Sequence, residues 1–342
     1  MPLTKFHCGE CLFLAFSQDA LDKHEAQHRP GPAVETPPPA TPAPVSEPEP
    51  AAMVGASSVL LDGLISIPED DPVFWLDYMT VRFLTSLEKR SLKGETVNVR
   101  IVGPTGTGKT TLARQFAANT NRPYFEQQCA LVQEQGDWWG TRELDTSHGT
   151  YFKKAALVDA LGVERCVILL DEANRAHPEN LNALFGVLDH RRQAYIPAIH
   201  QTITVARGIT FFLTLNLGMD YVGINPIDLA LQDRVALTLE MGYLPEEAEV
   251  NVLVQRTGIN ESDSKLLVKF ANLCRTNTRL GVGVSTRQLQ EAAAMIAVDI
   301  LPRDAIMFAV VNGVSEEADR TALLQTLQTV GSVVDAYVED PS

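Results

Sequence analysis

The run Gly103-Pro104-Thr105-Gly106-Thr107-Gly108-Lys109-Thr110 carries the strongest chemistry in this chain of 342 residues. Its spacing is that of a loop that wraps the phosphates of ATP or GTP. The glycines let several backbone N–H groups converge on anionic oxygens without Cβ clashes. Lys109 would place a point charge at the β- and γ-phosphates, and the Thr110 hydroxyl would ligate Mg²⁺. Such chemistry needs a carboxylate site as well, and Asp171-Glu172 supplies one. Asp171 suits a Mg²⁺ ion, held through water, and Glu172 suits a general base that polarises the attacking water.

Each of these groups must be held by an element. Val97–Val102 reads as a strand running into the loop. Thr111–Ala117 reads as the helix leaving it, with Thr111 at its start and its N-terminal dipole favouring the anion. Cys166–Leu170 is a continuous apolar run, as expected for a strand buried on both faces of a parallel sheet, and it ends at Asp171. A helix is expected through Trp75–Leu87 and another over Glu179–Leu188, with alternating strands and helices between. From Pro245-Glu246-Glu247 onward the pattern is helical only, with apolar periodicity in Leu266–Cys274, Leu289–Ile300 and Leu323–Val334. The expected fold is therefore α/β, a P-loop core of parallel strands flanked by helices, followed by a helical lid.

The stretch Ile168-Leu169-Leu170-Asp171-Glu172-Ala173-Asn174-Arg175-Ala176-His177-Pro178, followed by Asn182-Ala183-Leu184, resembles that of MoxR-type AAA+ ATPases. That group lies close to the dynein-, midasin- and metal-chelatase-related branch. The resemblance runs over roughly residues 70 to 300 and includes further marks in family order. Thr214-Leu215-Asn216, ending the apolar strand from Ile209 to Leu215, resembles sensor 1, which implies that Asn216 helps to position the attacking water. Ala230–Val235 resembles the segment carrying an arginine finger, which implies that Arg234 points into a neighbouring subunit's site. Partnership with Asp233 or Glu240 is the local alternative for Arg234, and Arg191-Arg192 is the alternative finger. Gly283-Val284-Ser285-Thr286-Arg287 resembles sensor 2, with Arg287 reaching from the lid to the phosphates. Val235 and Ala173 depart from the family, which usually has Phe and often Ile there.

Two insertions resemble those of the same branch. Short β-prone pieces around a turn in Arg191–Val205 suggest a hairpin before sensor 1. Leu144–Phe152 matches an insert in the second helix, and both hairpins would face a pore or a client. Trp138 and Trp139 precede the second insert and would either grip a client or dock on the core. The resemblance further implies ATP and Mg²⁺ as cofactors and a homo-oligomeric ring of six subunits. It also implies a protein client and a partner with a von Willebrand factor A domain.

At the other end, Cys8, Cys11, His24 and His28 are separated by two, twelve and three residues, the spacing of a Cys₂His₂ zinc site. Phe6 and Leu21 sit where such a ββα finger keeps its small core. Ala15 stands where an aromatic is usual, with Phe13 or Phe16 as substitutes, and His7 is a spare ligand. So short a segment folds only with a staple, here Zn²⁺. Its base-facing positions would be Ser17, Ala20 and Lys23, of which only Lys23 offers a strong contact. Within residues 1–29, Lys5, Lys23 and Arg29 are outnumbered by Glu10, Asp19, Asp22 and Glu25. A protein-docking finger fits this charge better than a nucleic-acid reader.

Composition points the same way. The net charge of −15 and pI near 4.9 disfavour nonspecific nucleic-acid binding. No apolar run has the length of a membrane span, the N-terminus holds metal ligands rather than a signal sequence, and Cys129, Cys166 and Cys274 look reduced. A cytoplasmic location is expected. Pro30 to Pro50 is rich in Pro, Ala and Glu, which gives a disordered, semi-rigid tether. The expected division is a zinc finger over 1–29, a tether over 30–57, a nucleotide-binding core over 58–243 and a lid with tail over 244–342. Two functions compete. One is a remodelling ATPase that acts on a protein client, with a metal-chelatase motor as a variant. The other is a zinc-finger-targeted ATPase acting on DNA, as a restriction or replication motor.

Overall fold

The computed structural model describes residues 6–7, 14–15, 64–145, 149–216, 229–277, 280–281 and 283–338. The expected zinc ligands Cys8, Cys11, His24 and His28, and the Pro-rich tether, lie outside the described residues. Two short strands flank the cysteines: β1 (Phe6–His7) pairs antiparallel with β2 (Leu14–Ala15), with Phe6 opposite Ala15.

From residue 64 onward the chain follows the expected alternation. Helix α1 (Tyr78–Leu92) leads to β3 (Val97–Gly103), α2 (Lys109–Asn119) and β4 (Tyr124–Gln128). A hairpin of β5 (Gly140–Asp145) and β6 (Gly149–Lys154) comes next, then α3 (Ala156–Leu161) and β7 (Val167–Asp171). Helices α4 (Pro178–Leu181) and α5 (Phe185–Leu188) precede a second hairpin, β8 (Gln193–Ile196) and β9 (Gln201–Thr204). Strand β10 (Thr210–Asn216), helix α6 (Leu229–Arg234) and β11 (Leu237–Glu240) complete the core. The remaining elements are α7 (Glu246–Thr257), α8 (Glu261–Thr276), α9 (Thr286–Ile296), α10 (Pro302–Ala309) and α11 (Glu317–Val338).

Five strands form one sheet in the order β11-β3-β10-β7-β4, and every pairing is parallel. Parallel strands gather their C-terminal ends at one edge, which is where ligands bind in open α/β sheets. Gly103, Asp171, Gln128 and Asn216 all reach that edge: Asn216 lies opposite Gly103, and Gln128 opposite Asp171. Alternation along β7 divides the core. Ile168 and Leu170 join Phe211, Leu213, Trp138 and Leu157 on one face. Val167 and Leu169 join Val99, Ile101, Phe212, Leu112 and Phe116 on the other. A separate cluster of Leu253, Leu267, Phe270, Leu289, Ile306 and Leu327 gives the C-terminal helices a core of their own.

Several boundaries differ from the sequence reading for local reasons. The first helix begins at Tyr78 rather than Trp75, because Asp77 caps it by accepting the Met79 and Thr80 N–H groups. The helix expected over Glu179–Leu188 is broken by a 3₁₀ turn at Asn182–Leu184. Both expected hairpins are present. The paired tryptophans dock on the core: Trp138 and Trp139 are buried, and the Trp138 indole N–H donates to the Asn180 carbonyl at 2.9 Å.

Candidate functional site

The phosphate loop joins β3 to α2, and its glycines are required by close approach. A Cβ on Gly103 would collide with the Met241 carbonyl oxygen, and one on Gly106 (φ 77°) would lie 2.6 Å from the Ser285 Cβ. The N-cap of α2 is Gly108, and no side chain caps the helix. Its first N–H groups therefore face the loop concavity, as anion sites at helix N-termini require. Lys109 is buried, and its ammonium donates to the Gly103 and Pro104 carbonyls at 2.9 and 2.8 Å. Burial pulls its pKa down to about 8, against the opposing attraction of Asp171 and Glu172. Thr107 closes the turn by donating to the Pro104 carbonyl at 2.9 Å.

Asp171 is the hub of the site. Its Oδ1 accepts the Thr110 hydroxyl at 3.0 Å and the Thr214 hydroxyl at 2.6 Å. Its Oδ2 accepts the Gln128 amide at 3.1 Å. Thr214 also accepts the Glu172 N–H at 2.8 Å, so one hydroxyl bridges the two acids. That bond holds Glu172 in the left-handed region (φ 50°), an unusual conformation for a non-glycine residue. The Glu172 carboxylate is ion-paired with Arg175 at 3.0 Å.

The donor set fits a Mg²⁺–nucleotide. A hydroxyl and a carboxylate meet at Thr110 and Asp171, oxygen ligands of the kind a hard cation takes. The uncapped N–H groups at the start of α2 and the Lys109 ammonium, now bonded to the loop carbonyls, are donors that phosphates would take. Gln128 was not foreseen in the sequence, and Thr214 only as part of the stretch resembling sensor 1, without its bond to Asp171. The signal for Thr214 was a polar residue near the C-terminal end of an apolar strand, and both places are readable only once the register against β7 is known.

The expected arginines separate into different roles. Arg234 stacks over Phe185, with its Cζ 4.4 Å from the ring centroid, and Nε lies 3.9 Å from Asp189. Its local partner is therefore Asp189 rather than the neighbouring Asp233 or the strand residue Glu240. Arg191 is exposed and forks onto Asp189, the closest approach being 2.7 Å. Arg192 donates to Asn98, Val187, Leu188 and Thr96, and burial lowers its pKa. Those bonds anchor Arg192 within its own chain. Asn216 ends β10 beside Gly103.

The lid closes over the loop. A cavity of about 490 Å³ is lined by Gly106, Thr107, Gly108 and Thr111 from the core and by Thr286, Arg287 and Gln290 from α9. Phe74, Leu76, Met241, Tyr243 and Val252 give it an apolar wall, and Asp71 meets Arg256 in an ion pair across its rim.

Comparison with known proteins places this geometry. Residues 98–235 match the AAA domain (dynein-related subfamily), and residues 249–331 match the CbbQ/NirQ/NorQ C-terminal domain. The chain is 35% identical over 243 residues to the "Putative chaperone BssE" of Thauera aromatica, covering 71% of this chain and 84% of that protein. The chain belongs to the dynein-related AAA ATPases. It is thus a MoxR-like AAA+ ATPase whose cofactors are ATP and Mg²⁺, and the resemblance seen in its motifs holds along core and lid. It is also 28% identical over 245 residues to the uncharacterized protein YojN of Bacillus subtilis, covering 68% and 78% of the two chains. Among solved structures, the Thermotoga maritima RuvB Holliday junction branch migration motor aligns with a TM-score of 0.45 at 17% identity, over 77% of this chain and 72% of that one. Among the described residues of this AAA+ ATPase, no helix is long and apolar enough to cross a membrane.

Proposed function

We propose that this AAA+ ATPase is a remodelling machine: a homo-oligomeric ring of six subunits that uses ATP hydrolysis to alter a protein client. The observation that carries the proposal is the cavity built jointly by core and lid. The start of α9 meets the phosphate loop at Ser285, and Arg287 lines the same wall as Gly106 and Thr107. A nucleotide held by both bodies, divided near residues 243 and 244, couples its own chemical state to the angle between them.

Within that reading the residues take distinct roles. Gly103, Pro104, Thr105, Gly106, Thr107, Gly108, Lys109, Thr110 and Thr111 cradle the triphosphate. Thr110 and Asp171 hold Mg²⁺, Glu172 takes the proton of the attacking water, and Asn216 orients that water. Arg287 contacts the phosphates from the lid. Arg234 acts in the neighbouring subunit's site, a role supported by its own-chain contacts, Phe185, Asp189 and Ala230, none of which belongs to the phosphate loop.

The relative named a putative chaperone supports a protein client. The exposed tips Leu144 and Tyr195 on the two hairpins offer apolar contacts for it. A von Willebrand factor A-domain partner accords with the MoxR-type resemblance. Recruitment falls to a finger in which Cys8, Cys11, His24 and His28 hold Zn²⁺, a reading supported by the antiparallel pairing of Phe6–His7 with Leu14–Ala15 around the two cysteines. The buried free thiols of Cys129, Cys166 and Cys274 suit the cytoplasm.

The test uses the Glu172→Gln protein, which should bind ATP without turning it over. Light scattering at saturating ATP should report six subunits, and affinity capture should retain the client. A monomer under those conditions sinks the ring.

A further inference from the structure

Glu249 is a carboxylate with no exposed surface, set among Val250, Leu253 and the rest of the lid core. A buried charge persists only when paired and hydrogen-bonded. Here the Arg275 guanidinium forks onto it, Nη1 at 2.7 Å and Nη2 at 2.9 Å, and the Thr286 hydroxyl donates to it at 2.6 Å. The third nitrogen of Arg275, Nε, donates to the Val284 carbonyl at 2.8 Å. The guanidinium plane also lies over the Tyr243 ring, 3.9 Å from its centroid.

These contacts converge on one segment. Val284 and Thr286 flank Ser285, the N-cap of α9 and the residue that meets Gly106 of the phosphate loop. Arg287 follows directly. Tyr243, on the connection between core and lid, lines the nucleotide cavity, and Gly283 approaches its hydroxyl so closely that a Cβ there would lie 2.5 Å away. The ion pair therefore ties α7, α8, the core–lid connection and the start of α9 into one unit. Packing alone does not explain it, since apolar residues of similar volume usually serve stability as well as a buried ion pair or better.

We propose that Glu249 and Arg275 are positioning residues for ATP hydrolysis: they hold residues 283–287 so that Arg287 and the Ser285 cap meet the phosphate loop. The proposal rests on the reading of Arg287 as the lid's contact to the phosphates, and the experiment separates the two.

The test combines Glu249→Gln with Arg275→Met in the full-length protein, which removes both charges and keeps an acceptor for Thr286. The thermal midpoint should fall only modestly, because no charge is left stranded and the main loss is the bond to the Val284 carbonyl. kcat/KM for ATP should fall about tenfold to a hundredfold, as for a misplacement of roughly an ångström near the chemistry. Arg287→Ala is then measured alone and in this background. If the pair acts by placing Arg287, the loss caused by Arg287→Ala shrinks by about threefold or more in the double-substituted protein. Thr286→Val, which deletes one hydrogen bond, gives the same cycle should the first variant fold poorly, and its kcat/KM should fall in the same direction. Losses that multiply independently, or wild-type turnover in both variants, overturn the positioning role. An Arg287→Ala protein with unchanged kinetics removes the reading of Arg287 itself, and the proposal with it.

Discussion

Arg175 Nε lies 3.0 Å from Glu172 Oε2, so the acid suited to activate water is ion-paired three residues along its own chain. A guanidinium N–H on one carboxylate oxygen occupies lone-pair sites that the attacking water would otherwise use. The pair is partly exposed, with side-chain exposures of 42% and 28%, so its hold on the glutamate is modest. Arg175→Ala should therefore raise basal ATP turnover by about 1.5- to 5-fold, the range set by exposed pairs worth about 0.2–1 kcal/mol. Affinity for a nonhydrolysable ATP analogue should not move. A fall in turnover would mean that Arg175 orients the base rather than restraining it.

Glu172→Gln should leave ATP binding intact and lower kcat by about 10²–10⁴-fold, the usual contribution of a general base. Lys109→Ala should instead abolish binding, since it removes the phosphate charge from the loop. Equilibrium binding of a fluorescent nucleotide beside steady-state turnover distinguishes the two losses. Substantial hydrolysis by the Glu172→Gln protein would move the base to another residue.

The phosphate loop, Asp171, Glu172 and both hairpins were legible because each is local. Glycine spacing, an apolar run ending in acids, and β-prone pieces around a turn are all contained within a few residues. Thr214 and Gln128 were not, because their place beside Asp171 depends on strand pairing over long sequence separations. The anchors of Arg192 were hidden for a similar reason: Asn98 lies in β3 and Thr96 just before it. Thr214 now has its own expectation. Thr214→Val would strip the bond to the Glu172 N–H and a donor from Asp171, at a cost of about 1–3 kcal/mol. If that loss is expressed in the transition state, kcat falls about 5- to 150-fold while the nucleotide Kd changes little. A thermal melt alongside the kinetics shows whether the loss lies in the site or in the fold.

Arg234 and the two arginines near it can be ordered by experiment. If Arg234 acts across the subunit interface, Arg234→Ala should bind ATP normally and hydrolyse it slowly. Mixing it with Glu172→Gln subunits should restore part of the activity, because some interfaces then combine one intact arginine with one intact base. Arg192→Ala should chiefly lower the melting temperature, since it strands the acceptors that Arg192 now satisfies. Absence of rescue at every mixing ratio, with assembly intact, would redirect attention to Arg191 and Arg192.

The cysteines allow the N-terminal segment to be tested against the rest of the chain in one measurement. Cys129, Cys166 and Cys274 are buried, and burial pushes their thiols up, Cys166 and Cys274 to about 12. Both inaccessibility and a scarce thiolate suppress alkylation, so these three should resist iodoacetamide in the native protein at neutral pH. Cys8 and Cys11, as ligands of the proposed finger, should be labelled readily once zinc is removed. With zinc bound they should be shielded, because a coordinated thiolate is held by the metal. Mass-mapped alkylation with and without a chelator reads all five sites together, and elemental analysis should find one zinc per chain. Cys8→Ser with Cys11→Ser should abolish that zinc and, if the expected tether separates the finger from the nucleotide site, leave basal ATP hydrolysis near wild type. A chain without zinc, or cysteines equally reactive before and after chelation, would remove the finger. A large drop in hydrolysis would instead mean that the N-terminal segment docks on the ATPase core.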